Sequence, residues 1–159
     1  MLDNLKKYNI ILASKSPRRQ NLLKGIGLEF SILTKDVDES YSNNISVFDV
    51  APFLSLKKAR SFEDSELPEN YMVITADTVV IVNDTILGKP KDGEDARNML
   101  RLLSGKKHSV VTGVTIHTKE NTKTFSVSSK VSFDVLDDVK STKSQLRQFN
   151  FVREYGFLG

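Results

Sequence analysis

The stretch LASKSPRRQNLL, residues 12–23, sets Lys15, Arg18 and Arg19 around what reads as the first turn of a helix. A helix N-terminus carries about +0.5 of an elementary charge, so cations there are unfavourable unless something negative sits among them. A guanidinium fork matches phosphate oxygens, and the free backbone N–H groups of the same turn also favour an anion. Ser14 and Ser16 add hydroxyl donors. This pattern suits capture of a phosphate-bearing ligand. Two solvated arginines and a serine that only caps would have the same spacing. If an external anion is what the turn awaits, losing Arg19 should leave the free protein no less stable, because a cation leaves the positive helix end.

Asp77 is the second candidate, a lone acid within VITADTVVIV, residues 73–82. Such a carboxylate is expensive to bury unless a cation or metal pairs with it, and the alternative is a strand-end aspartate facing water. Asp38 and Glu39 in DVDES bring two more carboxylates on a polar loop, while Lys58 in LKKAR and Lys89 in GKP bring cations. Singly, each reads more readily as a solvated side chain. Together they outline cations for a polyphosphate and carboxylates to hold a hard divalent ion such as magnesium and to orient water. There is no cysteine for a thiolate site or nucleophile. The two histidines, His108 and His117, stand at the ends of one strand pattern without zinc spacing, and His108 is expected to be structural. P-loop and dinucleotide glycine patterns are absent.

Alternating elements must position these residues. YNIILAS reads as a buried strand, followed by Ser16 as N-cap, Pro17 at the first helical position, apolar Leu22, Leu23 and Ile26, and closing glycines 25 and 27. LEFSIL reads as a strand, DVDESYSNNIS as a loop and PFLSLKKARSF as a helix opened by Pro52. YMVITADTVVIV is the most strand-like run, with NDT turning into ILGKP. Asp92 caps a helix whose stripe is Ala96, Met99, Leu100 and Leu103, ended by Gly105; two strands around KENT follow. This order predicts an α/β fold with a mixed sheet and flanking helices.

With 159 residues, 39% hydrophobic and 27% charged, the chain fits a single domain over 1–159. No run approaches the ~20 apolar residues of a membrane span, and MLDNLKKYN lacks the apolar core of a signal peptide, so a cytoplasmic protein is expected. The net charge of +3 suits phosphate-bearing partners of any size. No aromatic–basic stacking pattern supports a nucleic-acid partner. A homodimer is left open.

In order and spacing, LASKSPRRQNLL, VDES, LKKA, ADTVV, GKP and ARNMLRLLSGKKHSVVTGV closely resemble the Maf family, also called septum-formation-inhibitor proteins, over residues 9–136. The resemblance implies an inosine-triphosphatase-like fold and a nucleoside triphosphate pyrophosphatase, which releases the monophosphate and diphosphate with a divalent metal, Mg or Mn. By position it implies that Ser14, Arg18 and Arg19 form a phosphate-binding turn, that Glu39 and Asp77 are the metal-binding acids with Asp77 as general base, and that Lys58 and Lys89 are the cations of the catalytic set. The pair Arg18 and Thr78 resembles the branch acting on dTTP and UTP; nothing else in the sequence selects a base. After residue 136 the resemblance fades. Where relatives continue into a DKAGAYGIQG motif, this chain reads NFVREYGFLG, with Phe151 and Leu158 in place of a lysine and a glutamine. The expectation is an altered or incomplete C-terminus, and with it the alternative of a nucleotide-binding or regulatory protein impaired in catalysis.

Overall fold

A computed structural model describes residues 2–88 and 90–135. Its elements run β1 (Asn9–Leu12), α1 (Pro17–Gly25), β2 (Ser31–Ile32), α2 (Val50–Ala59), β3 (Tyr71–Val82), β4 (Thr85–Leu87), α3 (Gly93–Leu103), β5 (Lys107–Thr118) and β6 (Thr122–Ser132). The strands hydrogen-bond in the order β2-β1-β3-β5-β6, with β4 folded back on β3. β1 is parallel to both neighbours, Ile11 facing Ser31 on one side and Asn9 to Leu12 facing Tyr71 to Ile74 on the other. β4 is antiparallel to β3. The sheet is therefore mixed, with helices between its strands, as the alternating pattern predicts.

Contacts divide the chain into two compact units. The first holds residues up to Ile45, Val50–Asp77 and Gly113–Ser126. Its apolar cluster is Ile11, Phe62, Tyr71 and Val73, with Ala13 and Leu67 packed against it. The second holds Ser46–Asp49, Thr78–Thr112 and the residues from Val127. There α3 lays Leu100 and Leu103 on Val80, Val82, Leu87 and Val110. Asp92 caps α3 as expected, its carboxylate accepting from the N–H groups of Glu94 and Asp95 at 2.9 and 2.8 Å. Asn83 and Asp84 turn β3 into β4, both in the left-handed conformation that a tight two-residue hairpin demands.

Four local expectations are corrected. Ser16 occupies the N-cap position of α1 but makes no side-chain cap; instead the Ser16 N–H donates to Ser14 Oγ at 3.2 Å, so the hydroxyl serving this turn comes from the strand side. Ile26 lies at the C-cap and is exposed, and α1 buries no residue fully. The predicted LEFSIL strand is reduced to Ser31–Ile32, the residues that find β1 as a partner. Helix α2 begins at Val50 rather than Pro52, which a proline permits because first-turn N–H groups have no intrahelical acceptor. His108 is buried edge-on against Phe133, with ring centroids 5.0 Å apart. Burial lowers its pKa, which favours the neutral ring. Among the described residues no helix is long and apolar enough to cross a membrane.

Candidate functional site

β1 is flanked by β2 and β3, and all three run in the same direction. The chain leaves β1 through α1 to reach β2 on one side and later returns as β3 on the other. In open α/β sheets such a reversal leaves a crevice beyond the carboxyl ends of the strands. The candidate residues of the first unit collect there. Ala13 N–H still bonds to Ile74 O at 2.9 Å, and beyond that rung the two strands part. β1 turns off through buried Ser14 into α1, while β3 continues to Asp77.

Asp77 is not a strand-end acid facing water. Its side chain is only 13% exposed, and Lys58 Nζ from α2 donates to its Oδ1 at 2.5 Å. The same ammonium lies 2.9 Å from Glu39 Oε1 on the loop before α2. One lysine thus joins the two carboxylates that the sequence placed far apart. The adjacent residues repeat the arrangement: Lys57 Nζ bonds to Asp38 at 3.0 Å, and Asp38 also accepts from Ser40. These hydrogen bonds from Ser40 and then Lys57 hold the Asp38 carboxyl down at about 2. Both lysines sit in the last turn of α2, where the helix carbonyls favour cations. DES and LKKA therefore form a two-pronged junction between loop and helix, with Glu39 turned to Asp77 and Asp38 turned to solvent.

Arg19 Nη1 donates to Ala76 O at 2.8 Å, which anchors the first turn of α1 to β3 next to Asp77. Burial lowers the Arg19 pKa, with the Asp77 charge opposing that shift and Arg18 adding to it. This contact gives Arg19 a role in the free protein and sets the structure against the expectation that its loss leaves the free protein no less stable. Lys15, third of the cations in this stretch, is exposed and 3.9 Å from the equally exposed Asp36, a pair of little consequence.

Burial pushes the Asp77 carboxyl up; Lys58 opposes this, Glu39 adds to it, and Arg19 opposes it. For Lys58, burial acts downward, but Asp77 and Glu39 outweigh it and hold the ammonium above its ordinary value. Burial thus outweighs the Lys58 charge and makes the Asp77 carboxylate a better proton acceptor than a solvated aspartate. Among the described residues no group of three or more His, Cys, Asp or Glu side chains forms a ready metal cage. Glu39 and Asp77, already drawn to one positive charge, are the donor set on offer. Two carboxylates with the remaining positions left to phosphate oxygens and water match the habit of magnesium.

Thr78, next on β3, belongs to the second unit, where its hydroxyl lies 2.9 Å from Thr112 Oγ1. Lys89, Phe151 and Leu158 lie outside the described residues. Sequence reasoning missed Lys57 as the partner of Asp38, for which the doubled KK after DE was the only cue. It also missed a set of buried hydroxyls under α2: Ser55, Thr75 and Thr115, all fully buried.

A family model described as Maf-like protein matches residues 9–145. A dTTP/UTP pyrophosphatase of Bacteroides thetaiotaomicron is 45% identical over 139 residues, covering 87% of this chain and 72% of the relative. One from Porphyromonas gingivalis is 46% identical over 140 residues, with 87% and 70% covered. Among solved structures, the Staphylococcus aureus Ham1 protein matches with a TM-score of 0.55 at 18% identity, over 78% of this chain and 71% of that one, a likeness of fold.

Proposed function

The chain belongs to the Maf family, and from that premise we propose that it hydrolyses nucleoside triphosphates, with dTTP and UTP as substrates, to the monophosphate and diphosphate. The observation that carries the reading is Lys58 bridging Asp77 and Glu39 at the carboxyl end of β1, beside the Arg19 turn. The pyrimidine preference rests on the relatives' names and on the Arg18–Thr78 resemblance. The reading takes residues 1–159 as one functional domain.

Release of diphosphate requires attack at the α-phosphorus: a water oxygen bonds to it, the bond to the bridging oxygen breaks, and the electron pair leaves with diphosphate. Asp77 takes the proton from the water. Its partial desolvation raises its affinity for that proton, and Lys58 keeps it ionised and aimed until then. Ser14, Arg18 and the N–H groups opening α1 bind the phosphate chain, and Arg19 holds that turn against β3 while adding positive charge. Lys58, and Lys89 by resemblance, neutralise phosphate oxygens. A divalent cation, Mg or Mn, would be held by Glu39 and Asp77 and would supply charge neutralisation at the phosphates.

The test is phosphate release from a panel of nucleoside triphosphates in the presence of a diphosphatase, with Mg or Mn. Turnover of dTTP and UTP above purine nucleotides supports the reading. Nucleotide binding without turnover of any triphosphate overturns it in favour of a binding or regulatory protein.

A further inference from the structure

Helix α2 buries Val50, Ala51, Leu54 and Ala59, and it also meets strands of the first unit through polar groups. Thr75 Oγ1 on β3 donates to the Ser55 carbonyl at 2.6 Å. Ser55 Oγ donates to Pro52 O at 2.8 Å and lies 2.9 Å from Thr115 Oγ1 on β5, which in turn lies 2.9 Å from Thr124 Oγ1 on β6. Each hydroxyl has one proton, and the Pro52 carbonyl can only accept. Ser55 therefore spends its proton on Pro52, Thr115 donates to Ser55, and Thr124 donates to Thr115. The chain of hydrogen bonds has one direction from β6 through β5 into α2.

These groups lie in step with the site. Thr75 and Asp77 are two apart on β3 and share a face; Ser55 and Lys58 are three apart on α2. Two rungs thus join helix to strand, Thr75 to Ser55 and Asp77 to Lys58. At Gly113, two residues before Thr115 on the same face of β5, an added Cβ would run into the backbone of Ala51 and Pro52, so the start of α2 lies directly on the strand. That contact fixes how close the helix lies. Apolar contact is non-directional and lets a helix slide, whereas hydrogen bonds of this length fix its position along the strand.

We propose that Ser55, Thr75 and Thr115 are positioning residues that set the register of α2 on β3 and β5 and thereby hold Lys58 between Asp77 and Glu39. The proposal rests on the hydrolase reading for its kinetic consequence, but its structural content concerns Lys58 alone. Thr75→Val keeps the shape and removes the donor. It is expected to lower kcat by ~10–10²-fold, the effect of a misplacement of about an ångström, with the smaller change in KM, and Thr75→Ser is expected to restore most of the rate. In a double-mutant cycle, Thr75→Val should cost little further rate once Lys58→Ala is present. A loss that multiplies fully with that of Lys58→Ala overturns the proposal, because it marks Thr75 as structural only.

A second readout needs no turnover. In wild type the hydrogen-bonded Lys58 ammonium should give a slowly exchanging 15N signal, which Thr75→Val abolishes and Thr75→Ser retains. If wild type hydrolyses no triphosphate but the signal behaves in this way, the hydrolase reading falls and the positioning role stands. An ammonium signal unchanged in Thr75→Val overturns the positioning role whatever the activity. Should Thr75→Val fail to fold, Ser55→Ala, which removes the link to Thr115 and keeps the carbonyl for Thr75, faces the same measurements and the same criteria.

Discussion

Helices α2 and α3 each bury apolar side chains, but α2 adds directional hydrogen bonds to a strand. α3 presses Ala96, Leu100 and Leu103 into an apolar bed, is capped by Asp92 and carries Glu94 and Asp95 in its first turn, where negative charge is favoured. α2 buries Ser55 among Val50, Ala51, Leu54 and Ala59, and grips β3 by a hydroxyl and an ammonium. An apolar bed gives stability in proportion to area and tolerates small shifts. A polar seat gives less net stability, because its hydrogen bonds replace bonds to water, but it accepts only one alignment. Chemistry that depends on Lys58 meeting Asp77 needs the second kind of seat.

That contrast can be broken at either helix. The largest effect is expected from Asp77→Asn, which should reduce turnover by ~10²–10⁴-fold while the melting temperature holds, since Lys58 retains Glu39. Diphosphate release and calorimetry on the same preparation check it, and more than a tenth of the wild-type rate would exclude Asp77 as the base. On the apolar side, Leu103→Ala, at a fully buried position, should cost about 2–5 kcal/mol of stability at unchanged activity per folded molecule, read from chemical denaturation. A loss of activity in step with that of Asp77→Asn would erase the distinction between the seats.

Arg19→Ala comes next and should register on both scales. Removing a charged donor from the Ala76 carbonyl costs about 1.5–3 kcal/mol of stability, and affinity for a non-hydrolysable triphosphate should weaken with it. Weaker binding with an unchanged melting temperature would mean that the carbonyl contact contributes nothing to the free protein. Asp92→Ala, which strips the cap of α3, should cost about 1 kcal/mol and leave kinetics untouched.

The smallest effect concerns Tyr71, an apolar core member with a polar tip. Burial, and then its hydrogen bond to Asp64, push its phenol up to about 12. The folded state thus favours the protonated phenol, and this contribution is complete below the unfolded value near 10 and fades as pH rises through about 12. Ultraviolet titration should find one tyrosine ionising late, and Tyr71→Phe should remove that phase and flatten the alkaline limb of the stability curve.

The same contrast explains what could be read from the sequence. α3 announces itself because Ala96, Met99, Leu100 and Leu103 repeat at the helical period, and burial follows period. The polar seat has no period. Ser55 sits in FLSLKKA as any helical serine would, and its value depends on Thr75 and Thr115 arriving from distant strands. Asp77 could be marked as an acid in need of a partner, and Lys58 as a cation without one, but their pairing is a product of strand order. β3 takes its place beside β1 rather than beside β2, and no local pattern encodes that choice. Ser16 misled for a related reason: its type suits a cap, yet its side chain makes none, and its own N–H is held by the Ser14 hydroxyl where the strand ends.

The parallel register of β1 on β3 also governs how the molecule is made. Residues 9–12 leave the ribosome long before residues 71–74, and they have no lasting partner on that side until β3 appears. Closing so long a loop is entropically slow, so this rung belongs among the late events of folding. Ile10, Ile11 and Leu12, all buried in the finished protein, spend that interval open to solvent and to other chains. Arg19 and Asp77 cannot meet before it ends. A nascent chain would therefore acquire the turn and the carboxylate of its proposed site together, in the same closure that hides an apolar strand.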